Sequence, residues 1–543
     1  MHFGFRIDQI LVGAFAALLF KPHFTSLVSS KLKISGLGFL LKHDLTHLSV
    51  LDFLKKPINR HLMEAETNVN KPPLFYEVPS LNPRPHIDSD DLYKSLYSSS
   101  INDSEKFWGQ LGIQSLLWFT KFTKVLSGSF ENGTSRWFSD GSINASYNCL
   151  DRHDPNKIAL IWESDTQGTT RYVTFGELLR ETCKLSNFLT KTFHVKKGDA
   201  VTIYLPMTPE VVIAMLACAR IGAIHNVVFA GFSANSLKER ILNSESRVLI
   251  TADCAFRGGK RVPLGEIATE ASESLDLDIL WLKRDSENSF FVKRGTWWHD
   301  EVTKQSPEYE PEHMNGDSPL FMLYTSGSTG KPKGLVHSTA GYLLYAMITA
   351  RYVFDLQEGD IFGCLADVGW ITGHSYVVYG PLANGVTTVL FEGTPIYPNP
   401  TRYWELVQRL RITQLYIAPT VIRSLKKLGD QYVNNYDLSS LRVLGTVGEP
   451  INVDAWEWYH KVVGKGRCAV ADTYWQTETG GHLITPLPGA TKTKAGSAAY
   501  PFFGIAPKIL DQFTGEDITD FKKSGVIVIS QSWPGLAMYQ PFY

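Results

Sequence analysis

The residues with the clearest chemical meaning form a run of eleven, from Tyr324 to Gly334. Hydroxyl residues, glycines and lysines follow one another in it: Thr325, Ser326, Gly327, Ser328, Thr329, Gly330, Lys331 and Lys333. Glycines let several backbone N–H groups point at one anion, hydroxyls add donors, and lysines supply positive charge. Pro332 follows Lys331, where a P-loop would have Ser or Thr. The run therefore predicts a triphosphate cradle of another kind, and a solvated turn is the weaker interpretation.

Four further segments carry glycines, hydroxyls and aromatic residues in short runs: Gly369–His374, Val447–Pro450, Asp472–Gly481 and Thr485–Gly489. Together with the cradle, and in this order, they resemble the signature segments of the AMP-forming acyl-CoA synthetases. This is the adenylate-forming superfamily, and the similarity is greatest to its acetyl-CoA synthetase (acetate–CoA ligase) branch. The resemblance extends from about Phe75 to about Gly535.

The resemblance implies roles for individual residues around ATP. It gives phosphate contacts to residues 325–331, and a catalytic role to Thr325, Lys333, Thr477 and Glu478. It makes Glu478 the Mg²⁺ ligand, with Thr329 nearby, which suits a hard ion that shares substrate phosphates with few carboxylates. The wall around adenine and the AMP phosphate would comprise Gly448, Glu449, Pro450, Asp472, Thr473, Tyr474, Trp475, Gln476 and Thr477.

The acid would bind in a pocket closed by Trp475, with Ile371, Thr372 and Val447 as its other walls. A large indole leaves room for only one or two carbons. One methylene is worth about 1–3 kcal/mol in an apolar pocket, so volume alone discriminates weakly. We therefore expect acetate to be preferred and propionate to be partly tolerated, which keeps a propionate–CoA ligase as a near alternative.

Coenzyme A would bind at two places. Arg257 and Lys260 flank a glycine pair and resemble the site for its nucleotide-end phosphates, since two cations suit such an anion. Ala230 and Gly231 would line the pantetheine path. The implied reaction activates acetate with ATP to acetyl-AMP, then transfers the acetyl group to CoA and releases AMP.

Composition excludes some other classes. The chain has 543 residues and a formal net charge of −1, so it has no basic field for nucleic acid. An apolar run over residues 10–20 is too short to span a membrane. Six cysteines lie far apart without a CxxC pair, which suits a reducing compartment. The sequence leaves open the cytoplasm or the mitochondrial matrix, and it does not indicate the oligomeric state.

The elements that must position these residues alternate between strands and helices. Apolar β-branched runs predict strands at 201–205, 226–229, 248–251, 321–325, 387–391, 412–417, 441–444 and 525–530, and a helix is predicted over 209–220. Such alternation predicts an α/β fold with largely parallel sheets flanked by helices. The resemblance implies the large N-terminal domain of the adenylate-forming enzymes, whose sheets are stacked.

The predicted organisation has four parts: an extension at 1–72, for which organelle targeting is one hypothesis, the family's N-terminal segment at 73–150, an incomplete AMP-binding domain at 151–535 and a divergent tail at 536–543. The small C-terminal lid domain of the family, with its lysine, is expected to be missing. A catalytically impaired form that binds or regulates partners is therefore a second hypothesis. Luciferase-like oxidation of an adenylated acid is a third, and the context of Trp475 and Arg257 argues against it.

Overall fold

The computed structural model describes residues 75–285, 290–325, 332–520 and 523–538. The predicted extension at 1–72 lies outside this range, as do residues 326–331 of the phosphate cradle and the last five residues of the predicted tail. Within the described part of the chain, no helix is long and apolar enough to cross a membrane.

Seven strands form a first sheet, in which all neighbours but one are parallel. In spatial order they are Thr296–Trp297, Asp278–Leu282, Val248–Ala252, Ala200–Tyr204, Ile224–Val227, Pro319–Thr325 and Lys333–Ser338. The exception is the edge strand Lys333–Ser338, which runs antiparallel to Pro319–Thr325. These two strands enter and leave the predicted phosphate cradle, so the sheet holds both ends of that loop.

A second sheet repeats this design with six parallel strands and one antiparallel edge strand. In spatial order its strands are Ala469–Asp472, Val443–Thr446, Gln414–Ile417, Ile361–Cys364, Thr387–Phe391, Ile158–Glu163 and Thr170–Thr174. Thr170–Thr174 is the antiparallel strand. Carboxyl ends of parallel strands meet at one edge of a sheet, where open α/β folds bind ligands. The segments that begin at Val447 and Thr473 lie at this edge.

Helices lie between and around the sheets. Their bounds are Asp90–Asn102, Ser104–Ser115, Ala145–Cys149, Phe175–Lys191, Pro209–Ile221, Ala234–Asn243, Leu264–Ser272, Trp298–Glu301, Thr339–Val353, Ile371–Gly373, Gly380–Ala383, Arg402–Leu410, Pro419–Leu428, Gln431–Asn434 and Val453–Trp458. Wider π-type turns cover His374–Tyr379 and Tyr459–Val463, and a 3-10 turn covers Thr477–Thr479.

Two central helices show how the layers join. Phe175–Lys191 packs on strands of the second sheet, Pro209–Ile221 packs on strands of the first, and the helices contact each other. Pro209 occupies the first helical turn, where its missing N–H costs nothing, and Gly222 ends the helix in the left-handed conformation at φ +72°. All residues of this helix but Glu210 are buried, which explains why it is apolar apart from Glu210 and Arg220, whose guanidinium forms an ion pair with Asp151.

Five two-stranded ribbons complete the described structure. They pair Phe75–Tyr76 with Thr493–Lys494, Leu126–Ser127 with Arg136–Trp137, Ser142–Ile143 with Met314–Asn315, Ala255–Arg257 with Lys260–Val262, and Pro507–Leu510 with Val526–Ile529. The α/β class and the largely parallel sheets predicted from the sequence are confirmed.

Some predicted strand ends differ from those observed. The strand predicted at 226–229 is Ile224–Val227, because the chain turns at Phe229, whose carbonyl accepts the Phe232 N–H at 3.0 Å. The strand predicted at 441–444 is Val443–Thr446, because its register pairs Val443 with Gln414 and Ala469 on its two sides. Apolar runs predict a strand's centre, whereas its ends follow from its neighbours.

All six cysteines of the sequence are buried and none is in a disulfide. Burial raises the pKa of each thiol, to about 12 for Cys364 and about 11 for Cys468. The wide spacing seen in the sequence therefore corresponds to six separate core positions.

Candidate active site

The segment Asp472–Thr479 is fixed at the edge of the second sheet by the neighbouring strand. The Thr446 hydroxyl donates to an Asp472 carboxylate oxygen at 2.8 Å, and the Thr473 hydroxyl donates to the Thr446 carbonyl at 2.7 Å. Burial raises the pKa of Asp472 to about 6, although the Thr446 hydrogen bond opposes this. The structure thus places a buried, largely ionised carboxylate at the start of the predicted adenine wall.

The predicted wall residues on the adjacent strand lie in the turn after Thr446. Gly448 has φ +95°, and a Cβ atom built there would meet nothing within 4 Å. Glycine is thus required by the backbone, and its α-carbon faces open space. Glu449 forms an ion pair with Arg423 at 2.8 Å, and Pro450 is exposed. The turn therefore leaves room for a flat ligand beside Gly448.

A histidine joins the strand that follows the predicted phosphate cradle to the segment that follows Asp472. His337, on the edge strand of the first sheet, is within 2.8 Å of the Thr477 carbonyl through Nε2. Burial lowers the pKa of His337 to about 4, so the ring is neutral near pH 7. A carbonyl only accepts, so Nε2 carries the hydrogen and donates it. Thr477 is thus joined to the edge strand Lys333–Ser338.

The described part of the predicted tail also binds this segment. The Ala537 N–H donates to the Glu478 carbonyl at 2.9 Å, and the Met538 N–H donates to the Val336 carbonyl at 2.8 Å. A Cβ atom at Gly480 would lie 2.3 Å from the Gly535 carbonyl oxygen, so this approach requires glycine. The residues up to Met538 therefore bridge the edge strand and the Thr477–Thr479 turn.

The ends of the phosphate cradle are cross-strand neighbours. Thr325 pairs with Lys333 in the hairpin, so their side chains emerge on the same face of the sheet. Lys333 is exposed, and no described residue forms an ion pair with its ammonium group. The remaining predicted phosphate contacts, at 326–331 and including Thr329, lie outside the described residues.

Glu478 fits the predicted Mg²⁺ role by its surroundings. Its side chain is half-buried, and none of the described residues forms an ion pair or hydrogen bond with its carboxylate. The described residues also contain no group of three or more His, Cys, Asp or Glu side chains that could hold a metal alone. A single available carboxylate suits an ion that takes most of its ligands from substrate phosphates and water.

Trp475 is partly buried between two aromatic side chains. Its ring centroid lies 5.1 Å from that of Tyr376 and 5.4 Å from that of His482, and both contacts are edge-to-face. Edge-to-face packing is a favourable arrangement of such rings. The indole is therefore held against the core on two sides.

The other predicted walls of the acyl pocket begin at elements adjacent to Trp475. Ile371 and Thr372 start the helical segment that leads to Tyr376, and Ile371 is buried in the same apolar core against which Trp475 packs. Val447 follows Thr446 and is buried in that core.

Two residues of the predicted adenine wall are open to solvent. Gln476 is exposed, and its backbone N–H donates to the Thr479 hydroxyl at 3.1 Å. Tyr474 is 40 % exposed.

The predicted CoA phosphate site lies on a tight hairpin. Arg257 pairs with Lys260 across the ribbon, so both cations project from the same face. Gly258 and Gly259, at φ +62° and +75°, form the turn. Their two N–H groups are not free for a ligand, because each donates at 2.7 Å to an oxygen of the buried Asp165 carboxylate. An incoming phosphate would thus meet the side chains alone.

An aromatic residue links this hairpin to the predicted pantetheine path. The Arg257 guanidinium carbon lies 5.6 Å from the centroid of the Phe229 ring, and Ala230 and Gly231 follow Phe229 directly. The Phe229 centroid is 6.0 Å from that of Trp370, which precedes Ile371 of the acyl pocket. The structure thereby connects the predicted CoA and acyl sites through two aromatic rings.

Sequence reasoning missed three residues that organise the site: Asp165, His337 and Tyr416. Two of them act through a partner far along the chain. The Asp165 carboxylate accepts a hydrogen bond from the Gly258 N–H, 93 residues later, and the Tyr416 hydroxyl accepts one from the Trp475 indole, 59 residues later. His337 lies four residues after Lys333, and a histidine so close to the predicted phosphate cradle is a signal that the sequence does carry.

Comparisons with known proteins define the class to which this fold and site belong. The family model described as "AMP-binding enzyme" matches residues 150–538, and the model described as "Acetyl-coenzyme A synthetase N-terminus" matches residues 93–149. A solved acetoacetyl-CoA synthetase from Streptomyces lividans superposes with a TM-score of 0.75 at 26% identity, covering 82% of this chain and 68% of that one. The chain belongs to the AMP-binding enzyme family.

Its similar relatives are acetyl-coenzyme A synthetases. The one from Phycomyces blakesleeanus is 53% identical over 463 residues, which cover 84% of this chain and 69% of that protein. The one from Dictyostelium discoideum is 51% identical over 478 residues, which cover 86% of this chain and 71% of that protein. The predicted family and the predicted enzyme class, an acid–thiol ligase of the AMP-forming type, are confirmed.

Proposed function

We propose that this protein activates acetate with ATP to acetyl-AMP and pyrophosphate, and then transfers the acetyl group to coenzyme A. The observation that carries this proposal is the position of Trp475. Trp475 lies two residues after the buried Asp472–Thr473 pair, and its indole is packed against Tyr376 and His482. A large ring held there beside the nucleotide wall limits the acid to a short one.

In the first step, an acetate oxygen attacks the α-phosphorus of ATP, and the bond to pyrophosphate breaks. The protein forms no covalent intermediate, so its contribution is positioning and charge stabilisation. Thr325 and Lys333 would hold the phosphates from the hairpin, and Thr477, fixed by His337, would donate to the α-phosphate. Glu478 would hold Mg²⁺, whose charge offsets that of the pyrophosphate when it is bound.

In the second step, the CoA sulfur attacks the carbonyl carbon of acetyl-AMP. The carbon–oxygen bond to AMP breaks, AMP leaves with that oxygen, and the thiol proton passes to the medium. Arg257 and Lys260 would bind the nucleotide-end phosphates of CoA. Ala230, Gly231 and the neighbouring Phe229–Trp370 pair would guide the thiol end towards Trp475.

Acetate-dependent exchange of labelled pyrophosphate into ATP tests the first step on the full chain. We expect exchange that requires Mg²⁺ and falls on the order of a hundred-fold or more in Glu478→Ala, as for loss of one charged contact to the transition state. The matched control is Glu457→Ala, because Glu457 is paired with Lys461 on a surface helix. A folded chain without exchange, or equal losses in both variants, would contradict the proposal.

A further inference from the structure

The Trp475 indole is held by a hydrogen bond from a distant strand. Its Nε1–H donates to the Tyr416 hydroxyl at 3.2 Å. Tyr416 lies on the strand Gln414–Ile417 and is fully buried. Two further groups contact the same oxygen: Thr473 Oγ1 at 2.7 Å and His482 Nε2 at 3.0 Å. One hydroxyl is therefore shared by three partners.

The direction of each bond follows from the number of available protons. The Thr473 hydroxyl gives its only proton to the Thr446 carbonyl at 2.7 Å, so it accepts from Tyr416. The Tyr416 proton is then used, and its oxygen can only accept from His482, whose Nε2 must carry a hydrogen. Burial holds the pKa of His482 well below its usual value, so the ring is neutral and Nδ1 is the bare nitrogen.

This arrangement links the acyl pocket to the nucleotide wall. Hydrogen bonds run from Trp475 to Tyr416, to Thr473 and to the Thr446 carbonyl, and the Thr446 side chain in turn binds Asp472. The indole itself is only partly buried. Its edge-to-face contacts with Tyr376 and His482 hold the ring against the core, and the hydrogen bond at its nitrogen fixes how the ring is turned between them.

We propose that Tyr416 is a positioning residue that sets the acyl specificity, because its hydroxyl fixes the Trp475 indole where that ring limits the length of the acid. Without the hydroxyl, the indole N–H and the His482 Nε2–H both lose their acceptor. A buried donor without a partner is costly, so the indole would turn towards water and the pocket would lengthen. This inference rests on the proposed function and adds to it a specificity determinant outside the pocket.

The test compares Tyr416→Phe with Tyr376→Phe. Both tyrosines are fully buried and lie close to Trp475. The Tyr376 hydroxyl, however, bonds to the Thr349 hydroxyl and accepts from the backbone N–H of His482, and it does not bind the indole nitrogen. The probes are the ethyl, propyl and butyl esters of AMP, which are stable mimics of acetyl-, propionyl- and butyryl-AMP. We expect the preference for the ethyl over the butyl ester to fall about tenfold in Tyr416→Phe and to persist in Tyr376→Phe.

Two further variants keep the proposal testable if Tyr416→Phe does not fold. Thr473→Val keeps the Tyr416 hydroxyl but removes the Thr473 oxygen that accepts its proton. The preference for the ethyl over the butyl ester should therefore fall as well, by a smaller factor. In Trp475→Phe, which has no N–H, adding Tyr416→Phe should leave the preference unchanged. An equal loss of affinity for all three esters in Tyr416→Phe would overturn the specificity role. A wild-type chain that binds none of them would instead contradict the proposed function.

Discussion

Asp472 shows that a residue in the candidate site can work against the stability of the fold. Its carboxylate is buried, with the Thr446 hydroxyl as its hydrogen-bond donor. One neutral donor does not replace full hydration, so burial raises the pKa of Asp472 from 3.8 to about 6. Near pH 7 the folded state therefore carries an ionised carboxylate whose charge is less well stabilised than it would be in the unfolded chain.

Replacing Asp472 with Asn should stabilise the protein near neutral pH. The folded state binds the Asp472 proton more tightly than the unfolded state, so ionisation removes stability as the pH rises from about 4 to about 6. Asn keeps an acceptor for Thr446 without the charge. We expect about 1–3 kcal/mol of stabilisation above pH 6, and little below pH 4.

Thermal unfolding of both proteins across this pH range measures the effect. A difference in Tm that does not change with pH would contradict the assigned cause. AMP binding serves as the functional control, and it should weaken in Asp472→Asn if Asp472 forms part of the nucleotide wall.

At the scale of elements, the hairpin Ala255–Val262 owes its shape to a carboxylate from another part of the chain. Asp165 follows a strand of the second sheet and binds both turn N–H groups, whereas the hairpin follows a strand of the first sheet. Arg257 and Lys260 can then present two cations on one face without using the turn amides. In the hairpin proposed to bind the CoA phosphates, the two turn N–H groups are thus already satisfied by Asp165.

Asp165→Asn should weaken CoA binding through this hairpin. An amide offers one acceptor and turns its NH₂ towards the other turn N–H, so the turn loosens and the cations lose their common orientation. We expect a fall of roughly 10- to 150-fold in affinity for CoA, on the order of one lost hydrogen bond to a charged group. Binding of 3′-dephospho-CoA should fall less, because it lacks a phosphate.

Asp154→Asn is the matched control for this experiment, since Asp154 accepts one backbone N–H in an exposed turn. Calorimetry with both ligands gives the comparison. Equal losses for CoA and 3′-dephospho-CoA would mean that Asp165 acts on the fold in general rather than on the phosphate site.

The difference between local and distant contacts explains what the sequence could predict. The glycine-rich run predicts a phosphate loop, because its chemistry lies in consecutive residues, and the strand predicted to enter it at 321–325 is confirmed within Pro319–Thr325. The strands' alternation with helices likewise predicts the α/β class. Asp165 and Tyr416 could not be found this way, since each depends on sheet order and register between residues far apart in the chain.

At the scale of the whole molecule, a column of buried rings runs through the first sheet. Phe321 lies at its centre, with ring centroids 5.4 Å from His225, 5.0 Å from His337 and 4.7 Å from His374. Burial holds the pKa of His225 well below its usual value, and lowers those of His337 and His374 to about 4 and about 3. All three rings are therefore neutral in the folded protein.

These histidines predict that mild acid destabilises the fold. Unfolded histidine titrates near pH 6.5, so below that pH the unfolded state binds protons that the folded state excludes. Each histidine then removes up to about 1.4 kcal/mol per pH unit until its folded pKa is reached. We expect Tm to be nearly constant above pH 7 and to fall steeply from pH 6.5 towards pH 4.

High salt separates this effect from surface repulsion, because it screens exposed charges but not the desolvation of buried rings. The steep fall should therefore persist in high salt. A Tm that is unchanged between pH 7 and pH 5 would show that the buried histidines do not control acid stability.

The burial of all six cysteines has a practical consequence for a protein proposed to consume a thiol substrate. Only a thiolate attacks a disulfide readily, and in the folded state these sulfurs are both shielded and held in the protonated form. A chromogenic aromatic disulfide would therefore react with free coenzyme A while leaving the enzyme untouched. Thioester formation could then be followed by the loss of colour yield in timed samples, with no background from the protein until it unfolds.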